Sequence, residues 1–212
     1  PKLKASSVIL LTFSFSALEA RILLRDETQR RRIDYWIACM GTPEFRDLMV
    51  RVNCGLDFLE HYQLGIKLGI MPVLGNLVNV DPYVADGVVN SVATLEQARE
   101  DMRHLDLPIT WIYGQYDNWV KAEFIRDVMS VQANALREVI SVPIGHNART
   151  SREALRMFGT ITSLIHRFLH KTMIQPVLPS RKDMELMRRA EKDRLPPRDL
   201  KNRKTYWHHY LV

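Results

Sequence analysis

Four short apolar runs punctuate the first 170 residues: VILLTF (8–13), DYWIACM (34–40), ITWIYG (109–114) and EVISVPI (138–144). Their near-continuous hydrophobicity suits strands covered on both faces rather than half-exposed ones, which would alternate. Each is followed by a stretch with helical spacing. Residues 17–32 predict a helix with Ala20, Leu23 and Leu24 inside, and residues 122–133 one with Phe124, Val128 and Val131 on a single face. Ser151 opens a third, whose body 153–169 places Leu155, Phe158, Ile161, Ile165 and Phe168 inwards. Strand and helix in alternation predict an α/β fold built on a mostly parallel sheet.

The 41–107 stretch is too long for one crossover. It holds a Gly- and Pro-spaced apolar segment, LGIKLGIMPVLGNLVNVDP, and a clear helix, TLEQAREDMRHL, for which Thr94 and Gln97 form a capping box. An excursion of this size between sheet strands predicts a helical lid, and an apolar lid predicts an apolar substrate.

Charge changes this picture only at one end. Of a net charge of +6, none comes from residues 1–170, where 19 Lys and Arg balance 19 Asp and Glu; residues 171–212 hold 11 against 5. A neutral body excludes a fold-wide nucleic-acid footprint. Within the basic extension, Lys182–Leu195 predicts a helix with Met184, Met187 and Leu195 on one side, read as a solvated strap. Two cysteines in 212 residues are too few for a disulfide framework, and no apolar run approaches a membrane span. The expectation is a cytoplasmic protein.

The chemistry concentrates where strands end. The first strand runs into SFSALEA, and a serine nucleophile on a strand-to-helix turn needs small residues two positions either side. Ser14 has Thr12 and Ser16; Ser16 would have Ser14 and the bulky Leu18, so Ser14 is the better nucleophile. The strand ITWIYG leads at once to Asp117, and EVISVPI leads to His146. Serine, acid and histidine then follow in the order of an α/β-hydrolase triad. In that reading His146 is the general base, Asp117 fixes its tautomer, and the N–H of Phe15 is an oxyanion donor. His61 and His104 fall in the lid; His166 and His170 have metal-ligand spacing but no third ligand, and neither a P-loop nor a G-x-G-x-x-G follows any strand. No cofactor and no metal are expected.

TFSFSALEAR (12–21), YDNWVKAEFI (116–125), PIGH (143–146) and FRDLMVRVNCGLDFLEHY (45–62) resemble segments of the acyl transferases of bacterial bioluminescence systems, which are α/β-hydrolase thioesterases acting on myristoyl-acyl carrier protein. The resemblance covers residues 7–170 and carries the nucleophile, acid and base roles to Ser14, Asp117 and His146. It implies a fatty acyl thioester substrate, with acyl carrier protein as a partner. The elbow lies so close to Pro1 that the strands preceding it in such a fold are missing from this chain, so residues 1–170 are expected to be the C-terminal portion of a hydrolase domain, the rest lying in a longer protein or a partner chain. A non-catalytic interaction subunit on a truncated hydrolase scaffold is the alternative.

Overall fold

The computed structural model describes residues 6–73 and 75–170, with Lys182 and Glu185, both helical, beyond them. The rest of the 182–195 helix expectation lies outside the described residues. In chain order the elements are β1 (Ile9–Phe13), α1 (Ser16–Arg25), α2 (Glu27–Arg30), β2 (Tyr35–Cys39), α3 (Arg46–Val52), α4 (Phe58–Gln63), β3 (Ile70–Val73) and β4 (Asn76–Asn79). They continue with α5 (Val80–Val89), α6 (Leu95–His104), β5 (Ile109–Gly114), α7 (Ala122–Met129), β6 (Arg137–Val142) and α8 (Ser151–Phe168).

Strands β1, β2, β5 and β6 form a parallel sheet in that order. All five β2 residues are buried, as the apolar run requires of a strand covered on both faces. Period-two alternation divides them. Trp36 and Ala38 join Trp111 against α1, α6 and α7, whereas Tyr35, Ile37 and Cys39 face α8. The two indoles pack at 5.7 Å between centroids, and each satisfies its buried N–H: Trp36 Nε1 donates to Thr12 Oγ1 at 2.9 Å and Trp111 Nε1 to the Gly41 carbonyl at 3.1 Å. Strand β6 stops at Val142, since Pro143 has no N–H for a further rung.

Three helical expectations shift. The 17–32 helix is two helices, because Asp26 turns extended and its carboxylate accepts the N–H of Thr28 at 2.7 Å, capping α2. On α1 it is Arg21 that is buried, with Leu23 left 40% exposed. Helix α8 is opened by Thr150 and Glu153 in a capping box, and it buries Met157, Ile161 and Leu164; Leu155 and Phe158 point outwards. Helix α7 ends at Met129, with Ile125 rather than Phe124 in the core.

The excursion between β2 and β5 carries its own apolar core, in which Phe45, Met49, Phe58, Val73, Val80 and Val84 gather against Leu18 of α1. Its apolar segment forms a β3–β4 hairpin, which residue patterning had left undefined. The capping box at Thr94 and Gln97 is present, with the Gln97 side chain accepting from the Thr94 N–H at 3.1 Å. Helix α1 grips both roots of this unit. Arg21, fully buried, donates to Asp101 Oδ2 at 2.7 Å, to the Pro43 carbonyl at 2.6 Å and to the Ser91 carbonyl at 3.3 Å. Arg25 adds bonds to Asp101 Oδ1 at 2.6 Å and Ser91 O at 2.7 Å. Burial pulls the Arg21 guanidinium below its ordinary pKa and the Asp101 carboxylate opposes that shift.

Candidate active site

Strand β1 delivers Ser14 onto a tight turn before α1. Its φ of 52° is left-handed, a conformation disfavoured for a residue with a Cβ, and it is held by the Ser14 N–H donating to the Cys39 carbonyl at 3.1 Å and the Ser14 carbonyl accepting from Thr42 N–H at 3.2 Å. Ser16 has a different part in the same turn. Its hydroxyl donates to the Phe13 carbonyl at 2.7 Å and accepts from the Phe13 N–H at 2.8 Å, occupying both backbone groups of the last β1 residue. Small side chains at Thr12 and Ser16 therefore serve as hydrogen-bond partners as well as clearing space.

The loops after β5 and β6 converge on this turn. Gly114 permits it: a Cβ there would stand 2.5 Å from the Ile144 carbonyl oxygen, so only glycine lets β5 end so close to the start of the next loop. The Tyr116 N–H then donates to that same carbonyl at 3.1 Å, tying the two loops together. Asp117 presents Oδ1 to the N–H groups of Trp119 (2.8 Å) and Val120 (3.2 Å), an Asx-type lock that leaves Oδ2 aimed at His146. His146 Nδ1 lies 2.9 Å from Asp117 Oδ2, and His146 Nε2 lies 2.8 Å from Ser14 Oγ. A carboxylate can only accept, so the ring proton belongs on Nδ1 and the Nε2 lone pair faces the serine hydroxyl, which donates to it.

These three side chains, from three strand ends, make one hydrogen-bonded chain. The acid is 1% exposed at its side chain and the imidazole 6%, so little water competes for their bond. Trp119 stacks on the imidazole at 4.6 Å and 17°, fixing its plane. Sequence reading placed Trp119 only inside a motif; an aromatic two residues beyond the acid is the signal that it could support the ring. Among the described residues the Phe15 N–H donates to no acceptor, and it stands directly after Ser14 at the start of α1. His61 and His104 make local contacts in the excursion, to the Asp57 carbonyl and Glu100, away from these three. No group of three or more metal-ligating side chains occurs among the described residues.

Two hollows flank the elbow. A 330 Å³ depression is lined by Ser14, Met40, His146 and Met157. On the other side, a 420 Å³ apolar cavity runs from Phe15 and Leu18 beneath the excursion to Phe45, Val78 and Tyr83. Two thiols and a carboxyl take no part in this hydrogen-bonded chain. Burial pushes the Cys39 thiol up to about 12, while Cys54 is exposed. Glu44, 4% exposed, is pushed up to about 7 by burial, against the pull of the Asp47 and Arg46 N–H groups it accepts from.

No protein-family model and no curated protein matches the sequence. Solved structures do. The structure of Est1E from Butyrivibrio proteoclasticus with ferulic acid bound is similar at a TM-score of 0.58 and 14% identity, over 80% of this chain and 63% of that one. A second structure of Est1E gives 0.51 at 13% identity, over 79% and 64%. The thioesterase domain from the curacin biosynthetic pathway gives 0.42 at 14% identity, over 77% and 68%. The chain thus spans less than two thirds of the Est1E length. Parallel strand order, crossover helices and this likeness agree that the chain has the α/β-hydrolase fold.

Proposed function

We propose that the protein is a serine acyl hydrolase or acyltransferase that cleaves a fatty acyl thioester or ester through an acyl-enzyme on Ser14. The observation that carries this is the unbroken path from Ser14 Oγ to His146 Nε2 at 2.8 Å and from His146 Nδ1 to Asp117 Oδ2 at 2.9 Å. A serine hydroxyl is a poor nucleophile at neutral pH, so His146 takes its proton as Oγ bonds to the acyl carbon. The carbonyl oxygen gains the negative charge, and the Phe15 N–H is the donor placed to meet it. As the intermediate collapses, the bond to the leaving sulfur or oxygen breaks and His146 returns its proton to that atom. Water or an acceptor alcohol then repeats the sequence on the acyl-enzyme and frees Ser14. Asp117 stays ionised throughout and stabilises the imidazolium that forms at each proton transfer.

The apolar cavity beginning at Phe15 supports a long acyl group, and the resemblance of residues 12–21, 116–125 and 143–146 to the bioluminescence acyl transferases supports a thioester delivered by an acyl carrier protein in the cytoplasm. The test is hydrolysis of butyryl, octanoyl and myristoyl thioesters by the purified protein beside its Ser14→Ala and His146→Ala variants. The expected result is turnover that each substitution lowers by about 10³-fold or more. Equal turnover by Ser14→Ala would overturn the proposal.

A further inference from the structure

Glycine in the interior of a helix is disfavoured relative to alanine. Gly87 lies inside the ten-residue α5, so a packing reason for it is to be sought. The reason is Phe45. A Cβ on Gly87 would lie 2.1 Å from Phe45 Cε1, 2.8 Å from Cδ1 and 2.9 Å from Cζ, so the ring rests directly on the helix backbone where a side chain would otherwise stand. Phe45 is 2% exposed, and Tyr83, one turn before Gly87, meets its ring edge to face at 5.9 Å and 61°. These three residues line the same 420 Å³ cavity that Phe15 and Leu18 line beside the nucleophile.

We infer that the seating of Phe45 on Gly87 sets a wall of the acyl-binding cavity and so limits the length of acyl chain the site accepts; the inference rests on the acyl-hydrolase reading and adds its specificity-determining pair. Any side chain at position 87 must displace the ring. To reach the 3.4 Å of ordinary contact from 2.1 Å, it retreats by about 1.3 Å. Phe45 otherwise packs within the core of the excursion, so the cavity is the side on which it can yield. Glycine at 87 thus holds the cavity open, and the preference it sacrifices in α5 is offset by room for substrate.

The experiment compares the full protein with Gly87→Ala and with the double variant Gly87→Ala/Phe45→Leu, reading two quantities. One is the ratio of kcat/KM for myristoyl over butyryl p-nitrophenyl ester. The other is the affinity for myristate and for octanoate, by displacement of a fluorescent fatty acid. In Gly87→Ala the myristoyl-to-butyryl ratio falls at least about ten-fold and myristate affinity falls relative to octanoate. The double variant, with a smaller side chain at 45, recovers both. Ser14-dependent hydrolysis whose chain-length profile is unmoved by Gly87→Ala would overturn the wall while leaving the acyl-hydrolase reading intact. Absence of Ser14-dependent hydrolysis would sink that reading, and the fatty-acid affinities still decide whether position 87 controls the cavity.

Discussion

Replacing Gly114 by alanine tests how the loops that carry Asp117 and His146 are held together. The new Cβ would lie 2.5 Å from the Ile144 carbonyl oxygen and 3.1 Å from that of Gly145, both backbone atoms that no rotamer change can move aside. Reaching 3.4 Å contact requires the β5 and β6 exits to part by about 0.9 Å. Asp117 follows Gly114 by three residues and His146 follows Ile144 by two, so that displacement falls on a hydrogen bond of 2.9 Å and, beyond it, on the 2.8 Å approach of Nε2 to Ser14. Misplacement of this order costs about 10²-fold in rate, or about 2.7 kcal/mol of barrier. Overpacking lowers folding stability by about 1–3 kcal/mol. The assay is kcat/KM for p-nitrophenyl butyrate beside urea unfolding, with Gly159→Ala as control, since a Cβ at Gly159 meets nothing within 4 Å. Activity within three-fold of wild type in Gly114→Ala would refute the argument that this glycine brings Asp117 and His146 into register.

Other consequences are open to the same treatment. Arg21→Ala leaves the Pro43 carbonyl without its guanidinium donor and Asp101 with Arg25 alone, so urea unfolding should show a loss of about 3 kcal/mol or more; a loss under 1 kcal/mol would contradict the clamp. Glu44 has its pKa raised from 4.5 to about 7, so the native state holds a proton there that the unfolded chain releases. Stability from this source is full below about pH 4.5 and is lost as pH rises through about 7, a change of at most about 3 kcal/mol that Glu44→Gln should flatten. A thiol reagent at pH 8 should modify Cys54 in the native protein and Cys39 only after unfolding, because burial keeps the Cys39 thiol protonated; rapid modification of both in the folded protein would contradict the burial.

Much of this was legible in the residues, for reasons that can be named. The four apolar runs marked the strands, but only β2 and β5, in the middle of the sheet, are covered on both faces as such runs suggest; β1 and β6 are its edges, and on β1 Leu11 and Phe13 are exposed. Ser14, Asp117 and His146 were visible as positions because each directly follows such a run, and the structure brings the three within hydrogen-bond reach. What escaped were facts about partners distant in sequence. Burial of Arg21 depends on Asp101, 80 positions away, and periodicity alone assigned the inner face to Leu23. The inward face of α8 was misjudged by part of a turn, since Met157 and Leu164 rather than Leu155 and Phe158 meet β2 and β6. Asp26 ended a helix that hydrophobic spacing would have continued, because its carboxylate competes for backbone N–H groups. The β3–β4 hairpin hid among glycines and a proline, where neither the helical nor the strand period is sustained.

The central claim, that Ser14 is an activated nucleophile, is tested most directly by treating the protein with a fluorophosphonate probe and mapping the adduct by mass spectrometry, beside Ser14→Ala. The account predicts a single adduct on Ser14, absent from the variant and strongly slowed in His146→Ala. An adduct on another residue, persisting in Ser14→Ala, would contradict the nucleophile assignment; no adduct on the folded wild-type protein would contradict the enzyme reading and favour an interaction subunit on a hydrolase scaffold.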